Sequence, residues 1–170
     1  MPNYADINGR PMKKLQIQQY LRKLQLNDFE PAVNLATLTK LQDAHLKYIP
    51  YENFDCLNGK ITSLKRQEMF NKVIMHNRGG ICFELNGLYN WLLESLGFDV
   101  TSYSARFIDK METYQLRRHR VMCVALGDKR YLTDVGVNSE SPRVPLEITE
   151  GLIQSDGISQ YKFTRSEFWG

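Results

Sequence analysis

The apolar positions of this chain follow one period up to residue 97 and another after it. In the first part they recur every three or four residues, the spacing of a helix face. Leu15, Ile17, Tyr20, Leu21 and Leu24 form such a stripe over 13–25, which Asn27 and Asp28 break. Leu38, Leu41, His45 and Tyr48 form the next. Thr37 is placed to cap that helix and Pro50 to stop it, because the residue before a proline avoids helical dihedrals. Residues 51–55 read as a loop and Asn58-Gly59 as a turn. Thr62 or Ser63 can cap a third helix with Phe70, Val73 and Ile74 facing inward. Arg78-Gly79-Gly80 interrupts the pattern, and the strongest helix follows it. There Leu85, Leu88, Tyr89, Leu92, Leu93 and Leu96 predict one buried face, and Gly97 a C-terminal stop.

From Phe98 the period becomes two. Thr101, Tyr103, Ala105 and Phe107 alternate with Ser102, Ser104 and Arg106. Residues 109–118 are charged and read as a loop. Val121 to Leu126 is continuously apolar, which predicts a strand covered on both faces. Gly127-Asp128 reads as a two-residue hairpin turn, with Tyr131, Thr133, Val135 and Val137 on the return strand. Residues 141–145, with two prolines, read as a loop, and Tyr161–Trp169 as one more strand. The fold class expected is α+β. A helical domain over 1–97 precedes an antiparallel, barrel-like β domain over 98–170. That β domain reads as incomplete, since the chain stops at Gly170 just past the apolar pair Phe168-Trp169.

Composition narrows the class without naming a chemistry. The 170 residues are 42% hydrophobic and 24% charged, ordinary values for a globular protein. No apolar run is long enough for a transmembrane helix, and residues 1–12 lack the apolar core of a secretory signal. The net charge of +3, with scattered basic residues, argues against a nucleic-acid partner. Three widely spaced cysteines suit free thiols in a reducing cytoplasm better than a disulfide framework. No zinc-type Cys/His spacing and no phosphate-binding loop is present, so no metal is expected.

Candidate chemistry centres on Cys82. Cys123 lies inside an apolar strand and Cys56 in a loop, and both read as ordinary packing. Cys82 opens the strongest helix directly after two glycines. A helix N-terminus favours the thiolate and offers free N–H groups to an oxyanion. A nucleophile of this kind needs a base. His45 sits on an apolar helix face and reads as core, and His76 suits a helix C-terminus. His119 opens the apolar strand. If Leu126 pairs with Lys129 across the turn, Val121 lies opposite Asp134 and His119 opposite Gly136. His119 and Asp134 are then diagonal neighbours on one face, within reach of each other. A one-residue slip in register separates them. Cys82, His119 and Asp134 thus form a nucleophile, a base and an orienting acid, the parts of cysteine-type acyl transfer.

The residues around these three also carry a resemblance. Arg78-Gly79-Gly80-Ile81-Cys82-Phe83-Glu84-Leu85-Asn86 resembles the signature of the arylamine N-acetyltransferases. Ile49-Pro50-Tyr51-Glu52-Asn53-Phe54-Asp55, Leu96-Gly97-Phe98-Asp99-Val100, His119-Arg120-Val121 and Asp134-Val135-Gly136 match further family segments, in the family's order. The resemblance implies a papain-like or transglutaminase-like core, with a helical bundle, a β-barrel and then an α/β lid that this chain lacks. It implies ping-pong transfer of acetyl from acetyl-CoA to an arylamine, arylhydroxylamine or hydrazine through an acetyl-cysteine. It places the family's catalytic triad on Cys82, His119 and Asp134, and an Arg78–Glu52 pair between the loop and the catalytic helix. The coenzyme A contacts lie largely toward the missing lid and do not map onto this chain. Ile81, Arg118 and Val137-Asn138 depart from the family pattern. Thioester hydrolysis, or a non-catalytic remnant that binds a partner through its barrel edge, are the alternative readings.

Overall fold

The structure, a computed structural model, describes residues 9–108, 116–137 and 141–167. Five helices come first: α1 (Lys14–Lys23), α2 (Leu35–Tyr48), α3 (Phe54–Leu57), α4 (Arg66–Phe70) and α5 (Cys82–Ser95). Six strands follow: β1 (Asp99–Ala105), β2 (His119–Leu126), β3 (Lys129–Thr133), β4 (Leu146–Glu147), β5 (Ile153–Ser155) and β6 (Gln160–Lys162). β1 to β4 form one antiparallel sheet in sequential order, and β5 and β6 form a separate hairpin. Among the described residues the larger sheet stays open rather than closing into a barrel.

α5 is the centre of the molecule. Every residue from Glu84 to Leu93 is buried, so it has more than the single covered face its leucine pattern predicts. The physical reason is position. Helices α1 and α4 pack on it from one side, and β1 and β2 from the other. Tyr20, Leu24, Leu38, Leu41, Leu85, Leu88, Met122 and Val124 meet in one continuous core. A second tie is polar. Buried Gln42 of α2 donates to Pro142 O and accepts from Thr133 Oγ1, each at 2.5 Å.

Helix ends differ from the sequence expectations in instructive ways. α2 is capped by Asn34, whose Oδ1 accepts the Thr37 N–H at 2.8 Å, so Thr37 lies in the first turn instead. Asparagine is the stronger cap, and its position three residues earlier adds a turn. Neither Thr62 nor Ser63 caps α4, which begins at Arg66. Thr62 Oγ1 lies 3.5 Å from Cys56 Sγ, and the Ser63 hydroxyl accepts the Lys65 N–H. α4 then continues as a π-helical turn over Asn71–Met75. The expected loop at 51–55 contains the start of the short helix α3.

In the sheet, Leu126 pairs with Lys129, and the register runs back to Met122 opposite Thr133, as the two-residue turn requires. Gly127 takes φ 64°, the left-handed conformation such a turn needs at its first central position. The ladder ends at Thr133, and residues 134–137 leave the sheet toward α5 instead of extending the return strand. β1 is an edge strand. Tyr103 is exposed, while Ser102 on the other face donates to Asn90 Oδ1 of α5 at 3.0 Å. The strand expected over 161–169 shrinks to Gln160–Lys162. Its partner β5 and the short β4 carry too few residues to show a period. Phe168 and Trp169 lie outside the described residues.

Candidate active site

Cys82 is the first residue of α5 and is partly exposed. The local chain makes this possible. Gly79 and Gly80 precede it, and a Cβ on Gly79 would lie 2.1 Å from Pro50 O. Only glycine lets strand-like residues 50–52 run this close, where Tyr51 bridges Gly80 and the Glu52 N–H donates to Gly80 O at 3.0 Å. Glu84 turns back to accept the Ile81 N–H at 3.0 Å, satisfying the N–H just ahead of the helix. The N–H groups of Cys82 and Phe83 have no acceptor within the helix, as in any first turn.

His119 begins β2, opposite Ala105 of β1, and is buried. Its Nε2 lies 2.6 Å from Asp134 Oδ2. Cys82 lies close by, with its Sγ 3.7 Å from the carbonyl oxygen of Arg118, the residue before His119. Phe107 covers the ring with a centroid distance of 4.9 Å. Burial lowers the His119 pKa, but the bonds to Asp134 and Cys82 and the charges of both outweigh it. The net result is a rise to about 9. The structure therefore brings together all three residues singled out from the sequence. His45 is buried in the core between Tyr20 and Tyr89, and Cys123 is buried in β2.

Asn86, which sequence reasoning left as one letter of a signature, holds the pair in place. It is fully buried. Its Nδ2 donates to Asp134 Oδ1 at 2.8 Å and to Arg120 O at 2.5 Å, and its Oδ1 accepts the Val135 N–H at 2.9 Å. The Gly136 N–H also donates to Asp134 Oδ1, at 2.8 Å. One side chain thus joins α5, β2 and the segment after β3. The available signal was its position one turn after Cys82, as a polar residue inside a buried apolar stripe. Gly136 completes the fit: a Cβ there would lie 2.8 Å from Cys82 Cα and 2.7 Å from Asn86 Nδ2.

Charged groups brace the start of α5. Arg78 contacts Glu52 at 2.6 Å, the pairing implied by the resemblance, and Asp55 at 3.2 Å. Lys72 contacts Asp55 at 2.9 Å and buried Glu84 at 2.8 Å. Burial lowers the Lys72 pKa, but the bonds to Glu84 and Asp55 outweigh it and the net shift is upward. Beside the site a cavity of about 310 Å³ is lined by Leu46, Tyr48, Pro50, Tyr51 and Val135, among others. Among the described residues no cluster of His, Cys, Asp or Glu could hold a metal ion. No helix there is long and apolar enough to cross a membrane.

Known proteins share this sequence and fold. A family described as N-acetyltransferase matches residues 34–169. An arylamine N-acetyltransferase of Mycolicibacterium smegmatis is 36% identical over 152 residues, which are 86% of this chain and 55% of that protein. The solved arylamine N-acetyltransferase of Salmonella typhimurium superposes with a TM-score of 0.85 at 28% identity. The match covers 91% of this chain and 56% of that one. The Mycobacterium marinum enzyme, solved in complex with CoA, gives 0.80 at 28% identity, over 89% of this chain and 57% of its own. The chain thus spans about half the length of these relatives. A cysteine-led helix of this sequence, on this fold and across this much of the chain, places the protein in the arylamine N-acetyltransferase family.

Proposed function

We propose that this chain transfers acetyl from acetyl-CoA to an arylamine, arylhydroxylamine or hydrazine, with Cys82 as nucleophile, His119 as base and Asp134 as orienter. The observation that carries the reading is the buried His119–Asp134 contact at 2.6 Å, set against a cysteine at a helix N-terminus. The CoA complex of the Mycobacterium marinum relative supports the choice of donor.

His119 takes the Cys82 proton and, with its raised pKa, holds it as an imidazolium beside the thiolate. The thiolate attacks the thioester carbonyl carbon. The tetrahedral oxyanion that forms is met by N–H groups of the first turn of α5, an interaction of about 3–4 kcal/mol where such donors have been removed in other enzymes. The bond to the CoA sulfur breaks, CoA leaves as a thiol with the proton from His119, and acetyl remains on Cys82. An amine then attacks that acetyl thioester, His119 takes the amine proton, and the Cys82 thiolate is released. Asp134 keeps the ring oriented through both halves. In this reading the helical part over 1–97 supplies the nucleophile and the β part over 98–170 the base and acid. The unpaired thiols of Cys56, Cys82 and Cys123 suit a reducing cytoplasm.

The test is acetylation of the protein by acetyl-CoA, read by peptide mass spectrometry. Acetyl is expected on Cys82, with none on the Cys82→Ala variant. Acetyl on exposed Cys56 instead would refute the assignment. Since Cys82 is partly exposed, water is the rival acceptor. CoA release that is equally fast with and without an arylamine would make the chain a thioester hydrolase.

A further inference from the structure

Residues 9–13 form a strap at the end of α5 remote from Cys82. Arg66 Nη1 donates to Gly9 O at 2.8 Å, Trp91 Nε1 to Arg10 O at 2.9 Å, and the Met12 N–H to Ser95 Oγ at 2.8 Å. Between the strap, Arg66 and Trp91 lies a cavity of about 410 Å³. That size falls within the range of small-molecule sites. Arg10, Lys13 and Lys65 line it.

The charges there are unbalanced. Arg66 is neutralised by Glu94 at 2.6 Å. Among the described residues Arg10 and Lys13 have no carboxylate partner. Lys65 meets only Glu68 at 3.3 Å, in a solvent-exposed pair of little strength. The same cations crowd the start of α1, which has Lys13 and Lys14 and no acidic residue in its first turn. A helix start is already positive, so these lysines oppose the local field unless an anion joins them. Acetyl transfer does not need this cavity. From position 82 to position 91, α5 rises about 13 Å.

We propose that this cavity binds a small polyanion of the diphosphate type, separately from the Cys82 centre. Several oxygens spread over one compact group match three cations around a cavity, and the Trp91 ring forms an apolar wall beside them. Isothermal titration with inorganic pyrophosphate at low ionic strength tests it. One saturable site is expected in the wild type and equally in Cys82→Ala. Lys13→Gln with Lys65→Gln is expected to weaken binding by about tenfold or more. Lys40→Gln with Lys162→Gln removes the same charge elsewhere and is expected to leave affinity unchanged. A parallel titration with ADP separates the two sources of the group: tighter binding of ADP assigns the diphosphate to a nucleotide, tighter pyrophosphate to a free polyphosphate. No saturable binding by either probe overturns the proposal. So does equal weakening in both lysine pairs, full affinity in Lys13→Gln with Lys65→Gln, or loss of binding in Cys82→Ala.

Discussion

Two histidines of this chain are driven in opposite directions, and the contrast can be measured. His119, raised to about 9, binds its proton more tightly in the folded protein than in the unfolded chain. Its contribution to stability is complete below the ordinary histidine pKa of about 6.5 and is lost as pH rises toward 9. His45 is fully buried, its ring nitrogens have no partner among the described residues, and burial lowers it to about 3. It therefore costs stability as pH falls from about 6.5 toward 3. Denaturant titrations across pH are expected to show both slopes, the alkaline one absent in His119→Gln and the acid one absent in His45→Leu. At Asn86 the expected effect is on rate. Asn86→Ala removes one of the two donors to Asp134 Oδ1, leaving only the Gly136 N–H there, and takes the acceptor from the Val135 N–H. Acetylation of Cys82 should slow about 100-fold, since a misplacement near 1 Å has that effect. The dependence on acetyl-CoA concentration should change little, which a substrate-binding role for Asn86 does not predict.

At the level of elements, the site depends on how α5 meets the segment after β3. Gly136 has no room for a side chain, because its missing Cβ points at Cys82 and Asn86. Gly136→Ala is expected to push these groups apart, at about 1–3 kcal/mol in stability and with a larger loss in acetylation rate. Thermal melting and Cys82 acetylation measured on the same preparation separate the two effects. The hairpin acts in the same direction. Its register is set by Gly127-Asp128, and His119 sits three residues before Met122, the last residue in the ladder with β3. The register from Met122 to Leu126 was legible in the chain, because a two-residue turn admits one register. The expected pairing of Val121 with Asp134 and His119 with Gly136 does not form, since β3 ends at Thr133. Helix caps were less legible. Thr37 and Asn34 can both cap, and Asn34, the stronger cap, takes the position.

Across the whole molecule, the start of α5 is held by charges drawn from distant parts of the chain. Glu52, Asp55, Lys72, Arg78 and Glu84 form one connected group. Lys72 ties Glu84 to the rest of it, and Lys72→Met leaves buried Glu84 without a cation. A loss of about 3 kcal/mol is expected, read as a lower denaturation midpoint with an unchanged slope. Sequence alone determined the local matters: the helix that begins at Cys82, the apolar strand after His119, the tight turn, and through them the three candidate residues of the proposed site. These follow from periods, turn chemistry and steric rules that act over a few residues. Tertiary structure decided what depends on separation in space. It buried α5 from Glu84 to Leu93, recruited Asn86 to hold Asp134, turned residues 134–137 out of the sheet, joined Lys72 to Glu84 and, among the described residues, left the larger sheet open. Each of these rests on contacts between residues far apart along the chain, and the one-dimensional pattern carries no distance between them.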